Sequence, residues 1–229
     1  MHSNKYTVLY AAGVTMTIAV VLSLASTGLR PMRDANAARA LRGAILSTVI
    51  EVDPRTLEED YNAYVTERVF DDRGNEASGA AVSGLDVFRE SRKAPGERLY
   101  PVYVFERQGR INYIVPLHGA GLWGPINVYL ALEADLNTIY GVVFNHEKET
   151  PGLGAEIATP GFQNRFKGKK LFASSGEFKS VRVVRGAGSS GDPHAVDGLT
   201  GATMTTNGVT RMFEEELVLY QRIFQELGL

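Results

Sequence analysis

Hydrophobic and polar residues follow one pattern near the N-terminus and another in the rest of the chain. No charged residue occurs between Thr7 and Leu29. As an α-helix, this run would be about 34 Å long, whereas the hydrocarbon core of a bilayer is about 30 Å thick. The pattern therefore predicts one transmembrane helix over residues 7–29, after a short tail of residues 1–6.

A cleaved signal peptide is the alternative interpretation of this segment. Lys5 provides a basic start, and Ala35-Asn36-Ala37 has the A-x-A form of a cleavage site. The apolar run is longer than the roughly 7–15 residues of a signal-peptide core, so a retained anchor is favoured.

Residues 30–95 are predicted to be a helical stalk and linking region. Helix-forming residues favour a helix over 34–49, with Asp34 or Asn36 as its N-cap. After a break at Asp53-Pro54, a second helix is predicted over 57–69, ending at a turn-rich stretch over 71–75. No functional motif occurs in this region.

From residue 96 to the C-terminus the pattern changes to short runs rich in β-branched and aromatic residues. Five strands are predicted, over residues 100–107, 110–118, 127–134, 138–147 and 178–186. Gln108-Gly109 and Asn137 are typical of tight turns and favour antiparallel hairpins. With helices near 160–167 and over 208–227, residues 96–229 are predicted to form one α+β domain, a mainly antiparallel sheet flanked by helices.

Composition excludes several kinds of chemistry. The chain has no cysteine, which rules out disulfides, thiolate metal sites and iron–sulfur ligation, so any redox function requires a bound cofactor. The four histidines, at positions 2, 118, 146 and 194, do not have the spacing of metal ligands, and no metal site is predicted. A formal net charge of −2 gives no indication of nucleic-acid binding.

Hydroxyl-bearing side chains are concentrated in residues 197–208, directly before the predicted C-terminal helix. Four threonines lie within residues 200–206, whereas a helix needs only one capping residue. Free N–H groups at a helix start, with glycines that allow close approach, form a site for a phosphate. Asp197 could cap the turn or hold a divalent cation. Helix capping and phosphate binding are both consistent with this composition.

The segment from Asp197 to Thr203 matches the pattern D-x-x-[S/T]-G-A-T at every defined position. It resembles the flavinylation motif, in which a dedicated transferase moves FMN from FAD onto the final threonine. The resemblance implies that Thr203 is joined to FMN through a phosphoester bond.

Two further segments resemble one family. Residues 118–126 are similar to the glycine–tryptophan loop of the C subunit of the sodium-translocating NADH:quinone reductase, and residues 146–156 to its E-T-P-G-L-G segment. The order of the motifs and the N-terminal anchor also agree. The resemblance implies one covalent FMN and no catalytic side chain. The cofactor-binding residues that it implies are Leu122, Trp123, Glu149, Thr150, Gly152, Leu153, Gly154, Asp197, Leu199, Thr200, Gly201, Ala202 and Thr203.

Each segment also has a physical interpretation. Trp123, the only tryptophan, is either a core residue or an aromatic platform for a flat ring. Gly152 and Gly154 would let the backbone approach that ring, and Glu149 and Thr150 could supply polar contacts at its edge. His118 and His146 are interpreted as ordinary loop histidines rather than as proton donors.

The family resemblance implies a redox subunit of a membrane enzyme that couples NADH oxidation and quinone reduction to sodium export. Its partners would be the other subunits, an FAD-dependent FMN transferase and the lipid bilayer. In this chain no G-x-G-x-x-G segment follows a predicted strand and opens a helix, as an NADH site of this kind requires. The family places the flavin domain on the outer side of the bacterial inner membrane, although Arg30 and Arg33 after the span favour the cytoplasmic side.

Three alternatives differ from this interpretation. The equivalent subunit of the Rnf-type ferredoxin:NAD oxidoreductase shares two of the motifs, and residues 118–125 favour the quinone reductase. A membrane-tethered binding module without flavin is the second. A hydrolase with Thr203 as nucleophile is disfavoured, because the motif contains no histidine or lysine to act as a base.

Overall fold

The computed structural model describes residues 4–77, 79–80, 82, 85, 87–94, 96–186 and 188–229. The helices are α1 (Asn4–Ser47), α2 (Leu57–Tyr64), α3 (Val87–Glu90), α4 (Pro160–Gln163) and α5 (Thr203–Leu227). The strands are β1 (Val65–Phe70), β2 (Tyr100–Arg107), β3 (Arg110–Ala120), β4 (Pro125–Leu132), β5 (Ile139–His146), β6 (Arg182–Val184) and β7 (Ala195–Asp197). The chain forms two compact units, which divide after Leu41.

The N-terminal unit consists of the exposed part of α1. By length and composition this helix could cross a membrane, and it contains the whole predicted span. The predicted caps at Asp34 and Asn36 are wrong, because α1 continues through both residues and through Pro31. The alanines, leucines and arginines that follow have high helix propensity, which explains why the helix continues.

The second unit contains a sheet of five antiparallel strands in the order β1-β2-β3-β4-β5. Gln108 and Gly109 both have positive φ angles, of 52° and 77°, as a two-residue hairpin turn between β2 and β3 requires. The prediction of an α+β fold with a mainly antiparallel sheet is therefore confirmed.

One face of this sheet is covered by α5 and α4. Phe213 of α5 stacks on Phe144 of β5, with 6.2 Å between ring centroids, and Phe162 and Phe166 complete an aromatic cluster with centroid separations of 5.4–5.7 Å. All four side chains are fully buried. Burying one phenylalanine contributes on the order of 1.5–3 kcal/mol, so this cluster is a main anchor of α5 on the sheet.

The other face has its own buried residues. Tyr103, Phe105 and Ile114 are buried and alternate along β2 and β3 with the residues that face α5. Ile45 and Leu46, at the end of α1, are also completely buried. The last turn of α1 and the helix α2 therefore belong to the compact unit that contains the sheet.

The structure corrects the prediction for residues 57–69. The helix ends at Tyr64, and Val65–Phe70 form β1, which pairs with β2. Pairing buries Val69 and Phe70, and this gain outweighs the local helical pattern. The compact unit begins at Arg42, earlier than the predicted domain start at residue 96. Parts of the predicted tail and linking region, residues 1–3, 78, 81, 83, 84, 86 and 95, lie outside the described residues.

Candidate functional site

Three loops that contain the sequence motifs meet at the start of α5. They are the tryptophan loop between β3 and β4 (residues 121–124), the glycine loop after β5 (residues 147–154) and the threonine segment before and within α5 (residues 197–206). The backbone N–H of Trp123 donates to Glu149 Oε1 at 2.9 Å, and the Thr205 hydroxyl donates to Glu149 Oε2 at 2.6 Å. The fold thus joins the three motifs through one carboxylate.

The threonine segment differs from its prediction in where the helix begins. Helix α5 begins at Thr203, five residues before the predicted start at Gly208. Gly208 lies inside the helix, where a side chain would collide with the carbonyl oxygen of Ala120 on β3, so the close packing on β3 explains why this helical residue is a glycine. This contact between distant parts of the chain outweighs the low helix propensity of glycine.

The start of α5 has backbone N–H groups that no side chain caps. Ala202 is the N-cap residue, and within the described residues it provides no side-chain cap bond. The first helical hydrogen bond runs from the N–H of Thr206 to the carbonyl of Ala202, at 3.0 Å. The N–H groups of residues 203–205 have no acceptor within the helix and lie at its N-terminal end, where they would favour an anion. The interpretation of the threonines as a helix cap is wrong.

The threonine hydroxyls have different environments. Thr205 donates to Glu149, and Thr206 donates to the carbonyls of Ala202 and Thr203, at 3.1 Å each. Within the described structure the half-buried Thr203 hydroxyl has no hydrogen-bond partner. It is therefore the hydroxyl at the helix start that is available for a covalent bond.

Asp197 organises the loop that precedes the site. Its Oδ1 accepts a hydrogen bond from the Ser189 N–H at 3.0 Å, and the hydrogen bonds from the Ser189 hydroxyl and N–H lower the pKa of Asp197. Arg165 Nη1 donates to the carbonyls of Asp197 and Gly198, at 2.8 and 2.9 Å. Among the described residues there is no cluster of potential metal ligands, and Asp197 serves the loop. Arg165 and Ser189 were not predicted, because their partners are distant backbone groups or belong to another loop.

A groove of about 330 Å³ lies beside Thr203. It is lined by the end of β6, by residues 198–201 and by the first turn of α5, and Arg185 is the charged residue in its wall. The predicted residues Leu199, Thr200 and Gly201 lie in this lining. Ala202, at the helix start, is buried and is not part of this lining.

Large apolar side chains are exposed around the same helix start. Leu122, Trp123, Leu153 and Met204 are 48%, 63%, 43% and 57% exposed. The core interpretation of Trp123 is wrong. A Cβ added at Gly201 would lie 2.8 Å from Leu153, which places Leu153 next to the threonine segment. Met204 was not predicted, although its position after Thr203 was a possible signal. Exposed apolar side chains grouped at a site are typical of a binding surface.

Glu149 is buried below this surface, with 5% of its area exposed. Burial raises the pKa of its carboxyl, but hydrogen bonds from Thr205 and from the backbone of Trp123, Leu122 and Gly124 outweigh this effect, so the pKa is lowered. Side chains at Gly121 or Gly154 would collide with the carboxylate, which explains the two glycines.

The remaining predicted residues have simpler environments. Thr150 and Gly152 are exposed, and the Thr150 carbonyl accepts the N–H groups of Leu153 and Ala155, both at 3.1 Å. The two histidines lie in strands rather than in loops. His118 Nδ1 is 2.5 Å from Asn127 Oδ1, and the buried Nδ1 of His146 has no hydrogen-bond partner among the described residues.

Comparison with known proteins agrees with this geometry. The FMN-binding domain family matches residues 121–217, a range that contains all three loops and more than half of α5. The C subunit of the Na(+)-translocating NADH-quinone reductase of Vibrio vulnificus is 31% identical, over 93% of this chain and 90% of the relative.

Two solved structures are also similar. The C subunit of the Na(+)-translocating NADH-quinone reductase of Parabacteroides distasonis is 40% identical with a TM-score of 0.78, covering 88% of this chain and 98% of that one. NqrC of Shewanella oneidensis is 29% identical with a TM-score of 0.76, covering 84% and 98%. The chain belongs to the family of C subunits of the sodium-translocating NADH-quinone reductases and contains an FMN-binding domain.

Proposed function

We propose that this chain holds one FMN, joined by a phosphoester bond to the side-chain oxygen of Thr203, and transfers electrons within a sodium-translocating NADH:quinone reductase. The observation that supports this most directly is the start of α5. The N-cap residue provides no side-chain cap bond there, and the Thr203 hydroxyl is the one threonine hydroxyl of the first turn that has no partner in the described structure. Family membership supports FMN as the cofactor.

The residues present fit a phosphate-linked ligand. The N–H groups at the helix start would hold the phosphate, and Gly201 would let it approach the backbone. The groove of about 330 Å³ has the size of small-molecule sites, which are roughly 300–1,000 Å³. Leu199, Thr200 and Ala202 would shape this part of the site.

The apolar surface fits the ring of the same cofactor. Leu122, Trp123, Leu153 and Met204 would contact a flat apolar ring, and the backbone at Thr150, Gly152 and Gly154 would support its edge. Bound FMN supplies electron transfer, whereas the protein orients the ring and leaves it accessible to partners. A covalent bond would prevent loss of the cofactor from so open a site.

The N-terminal helix fits a membrane subunit with a single span. We infer that α1 anchors the chain in the bacterial inner membrane and that the flavin domain lies on the outer side. The other subunits of the complex would supply and accept electrons, since no G-x-G-x-x-G segment of this sequence follows a strand and opens a helix. Attachment would require a transferase that moves FMN from FAD.

The flavin subunit of an Rnf-type complex is the second candidate, because it shares the flavinylation motif. The relatives from Vibrio vulnificus and Parabacteroides distasonis are quinone-reductase subunits, which favours the first assignment. A binding module without redox function would purify without a flavin spectrum.

Intact mass tests the attachment. The full chain, co-expressed with an FMN transferase, should gain the mass of one FMN minus one water on the peptide that contains Thr203. Thr203→Val should abolish this gain and leave the fold intact. Ser174→Ala, which removes an exposed turn hydroxyl, should keep it. Covalent flavin retained in Thr203→Val would refute the assignment.

A further inference from the structure

The carboxylate of Glu149 has protein partners on both oxygens. Oε1 accepts the N–H of Trp123 at 2.9 Å, Oε2 accepts the Thr205 hydroxyl at 2.6 Å, and the N–H groups of Leu122 and Gly124 also interact with it. The side chain is 5% exposed. A residue that contacted the cofactor through its carboxylate would need an oxygen directed at the site.

We propose that Glu149 is a positioning residue, which holds the tryptophan loop against the first turn of α5 and thereby fixes where Leu122 and Trp123 meet the flavin ring. The proposal rests on the proposed FMN site. It replaces the expected polar contact between Glu149 and the ring edge with an indirect role through the loop.

A carboxylate suits this arrangement for geometric reasons. Glu149 Oε1 accepts the N–H of Trp123, the N–H groups of Leu122 and Gly124 also interact with the carboxylate, and the Thr205 hydroxyl from α5 donates to Oε2. An ionised carboxylate is an acceptor only, so it can satisfy all of these donors together. Hydrogen bonds to a charged group are also about twice as strong as neutral ones.

The surrounding glycines show how closely the loops pack on this group. A Cβ at Gly121 would fall on Oε1, and a Cβ at Gly154 would fall on Oε2 and lie 2.6 Å from Thr205 Oγ1. Both glycines belong to the motif segments, one in the tryptophan loop and one in the glycine loop. These two glycines therefore share one physical role, which is to leave room for the carboxylate of Glu149.

Two substitutions separate the role of the side chain from its charge. Glu149→Ala removes every acceptor. Glu149→Gln keeps an oxygen for the N–H groups, and its amide can donate to Thr205 Oγ1 after the hydroxyl rotates. Glu147→Gln is the matched control, since Glu147 is exposed and lies two residues earlier in the same loop.

The first measurement uses the full chain without flavin, expressed without a transferase. Hydrogen exchange of the amides in residues 121–124 and the fluorescence anisotropy of Trp123, the only tryptophan, both report on the loop. In Glu149→Ala, exchange should accelerate by about tenfold or more, as loss of a hydrogen bond to a charged group predicts, and anisotropy should fall. Glu149→Gln should restore most of the protection.

The second measurement uses the flavin-loaded chain. Glu149→Ala should still acquire FMN by mass, but the visible circular dichroism of the flavin should weaken, and Glu149→Gln should recover it. Thr205→Val removes only the hydrogen bond between α5 and Glu149, so it should weaken the flavin dichroism less than Glu149→Ala does. It provides a second test if Glu149→Ala fails to fold.

Loop exchange and flavin dichroism that stay at the wild-type level in both Glu149→Ala and Thr205→Val would overturn the proposal. Failure of the proposed function would look different. The loop of the flavin-free chain would still be better protected in the wild-type chain and in Glu149→Gln than in Glu149→Ala, but neither the wild-type chain nor any variant would acquire flavin.

Discussion

Individual residues of the threonine segment have separate tasks, although their side chains are chemically alike. Thr205 and Thr206 use their hydroxyls within the protein, whereas the Thr203 hydroxyl is without a partner in the described structure. The motif in the sequence indicated Thr203, but it could not show why the neighbouring hydroxyls are unsuitable. Their partners, Glu149 and two backbone carbonyls at the helix start, are defined only by the fold.

Gly154→Ala should destabilise the second unit. The added methyl group would collide with Glu149 and Thr205, both of which are buried, so we expect a loss of about 1–3 kcal/mol in the free energy of unfolding. Urea denaturation measures this loss. Gly161→Ala is the control, because a Cβ at that exposed position would meet only the Thr159 hydroxyl, at 4.0 Å. Equal stability of the two variants would contradict the close packing around Glu149.

The carboxylate of Glu149 predicts a pH dependence of stability. Its pKa is lowered in the folded state, so its stabilising contribution is complete above the usual glutamate pKa of about 4.3 and is lost as the pH falls through the folded value. The free energy of unfolding of the wild-type chain should therefore exceed that of Glu149→Gln at pH 6, and this difference should shrink as the pH falls to 3. Denaturation curves across this range measure it. Glu147→Gln should not show this convergence. A constant difference across the range would argue against an ionised Glu149.

Among the secondary-structure elements, those with strong local patterns were predicted well. Four of the five predicted strands overlap β2 to β5, with ends that differ by up to two residues, because each has a regular run of β-branched and aromatic residues between turns. Strand β1 was missed because its pairing with β2, a strand distant in sequence, decides its conformation. The start of α5 was missed for a similar reason, since Gly208 is explained only by its contact with β3.

The site could be predicted in part. The motifs identified the three loops, and the fold brings them together, as the shared bonds of Glu149 show. The supporting residues Arg165 and Ser189 gave no signal, because hydrogen bonds to another loop have no characteristic spacing in sequence. The exposure of Trp123 was also undecidable from composition, since tryptophan is common both in cores and at binding surfaces.

The short helical region around α4 positions the threonine segment through Arg165. Arg165→Met should free the carbonyls of Asp197 and Gly198 and lower the flavin-loaded fraction, with a loss of about 1–3 kcal/mol in stability from the two hydrogen bonds. The loaded fraction is read from the ratio of flavin to protein absorbance. Lys167→Met, at an exposed position nearby, should match the wild-type chain. A normal loaded fraction in Arg165→Met would mean that the loop holds its own shape.

At the scale of the whole molecule, the two units predict different solution behaviour. A chain that begins at Arg42 keeps the last turn of α1, all five strands of the sheet and α5, so it should be soluble and should unfold cooperatively. A chain that begins at residue 96 lacks β1, which would leave the edge of β2 unpaired and prone to association. Gel filtration and circular dichroism distinguish these outcomes. A monomeric, folded chain from residue 96 would show that β1 is dispensable.

The position of α5 after every strand of the sheet has a consequence for biosynthesis. A ribosome makes the chain from its N-terminus, so the helix that presents Thr203 is made only after the sheet on which it packs. The hydroxyl is held at an ordered helix start only after α5 has packed on the sheet. On the proposed function, the transferase would therefore act on chains in which α5 has packed on the sheet, and copies that are misfolded or truncated before α5 would stay colourless. Attachment of the cofactor would then also serve as a check on the quality of newly made protein.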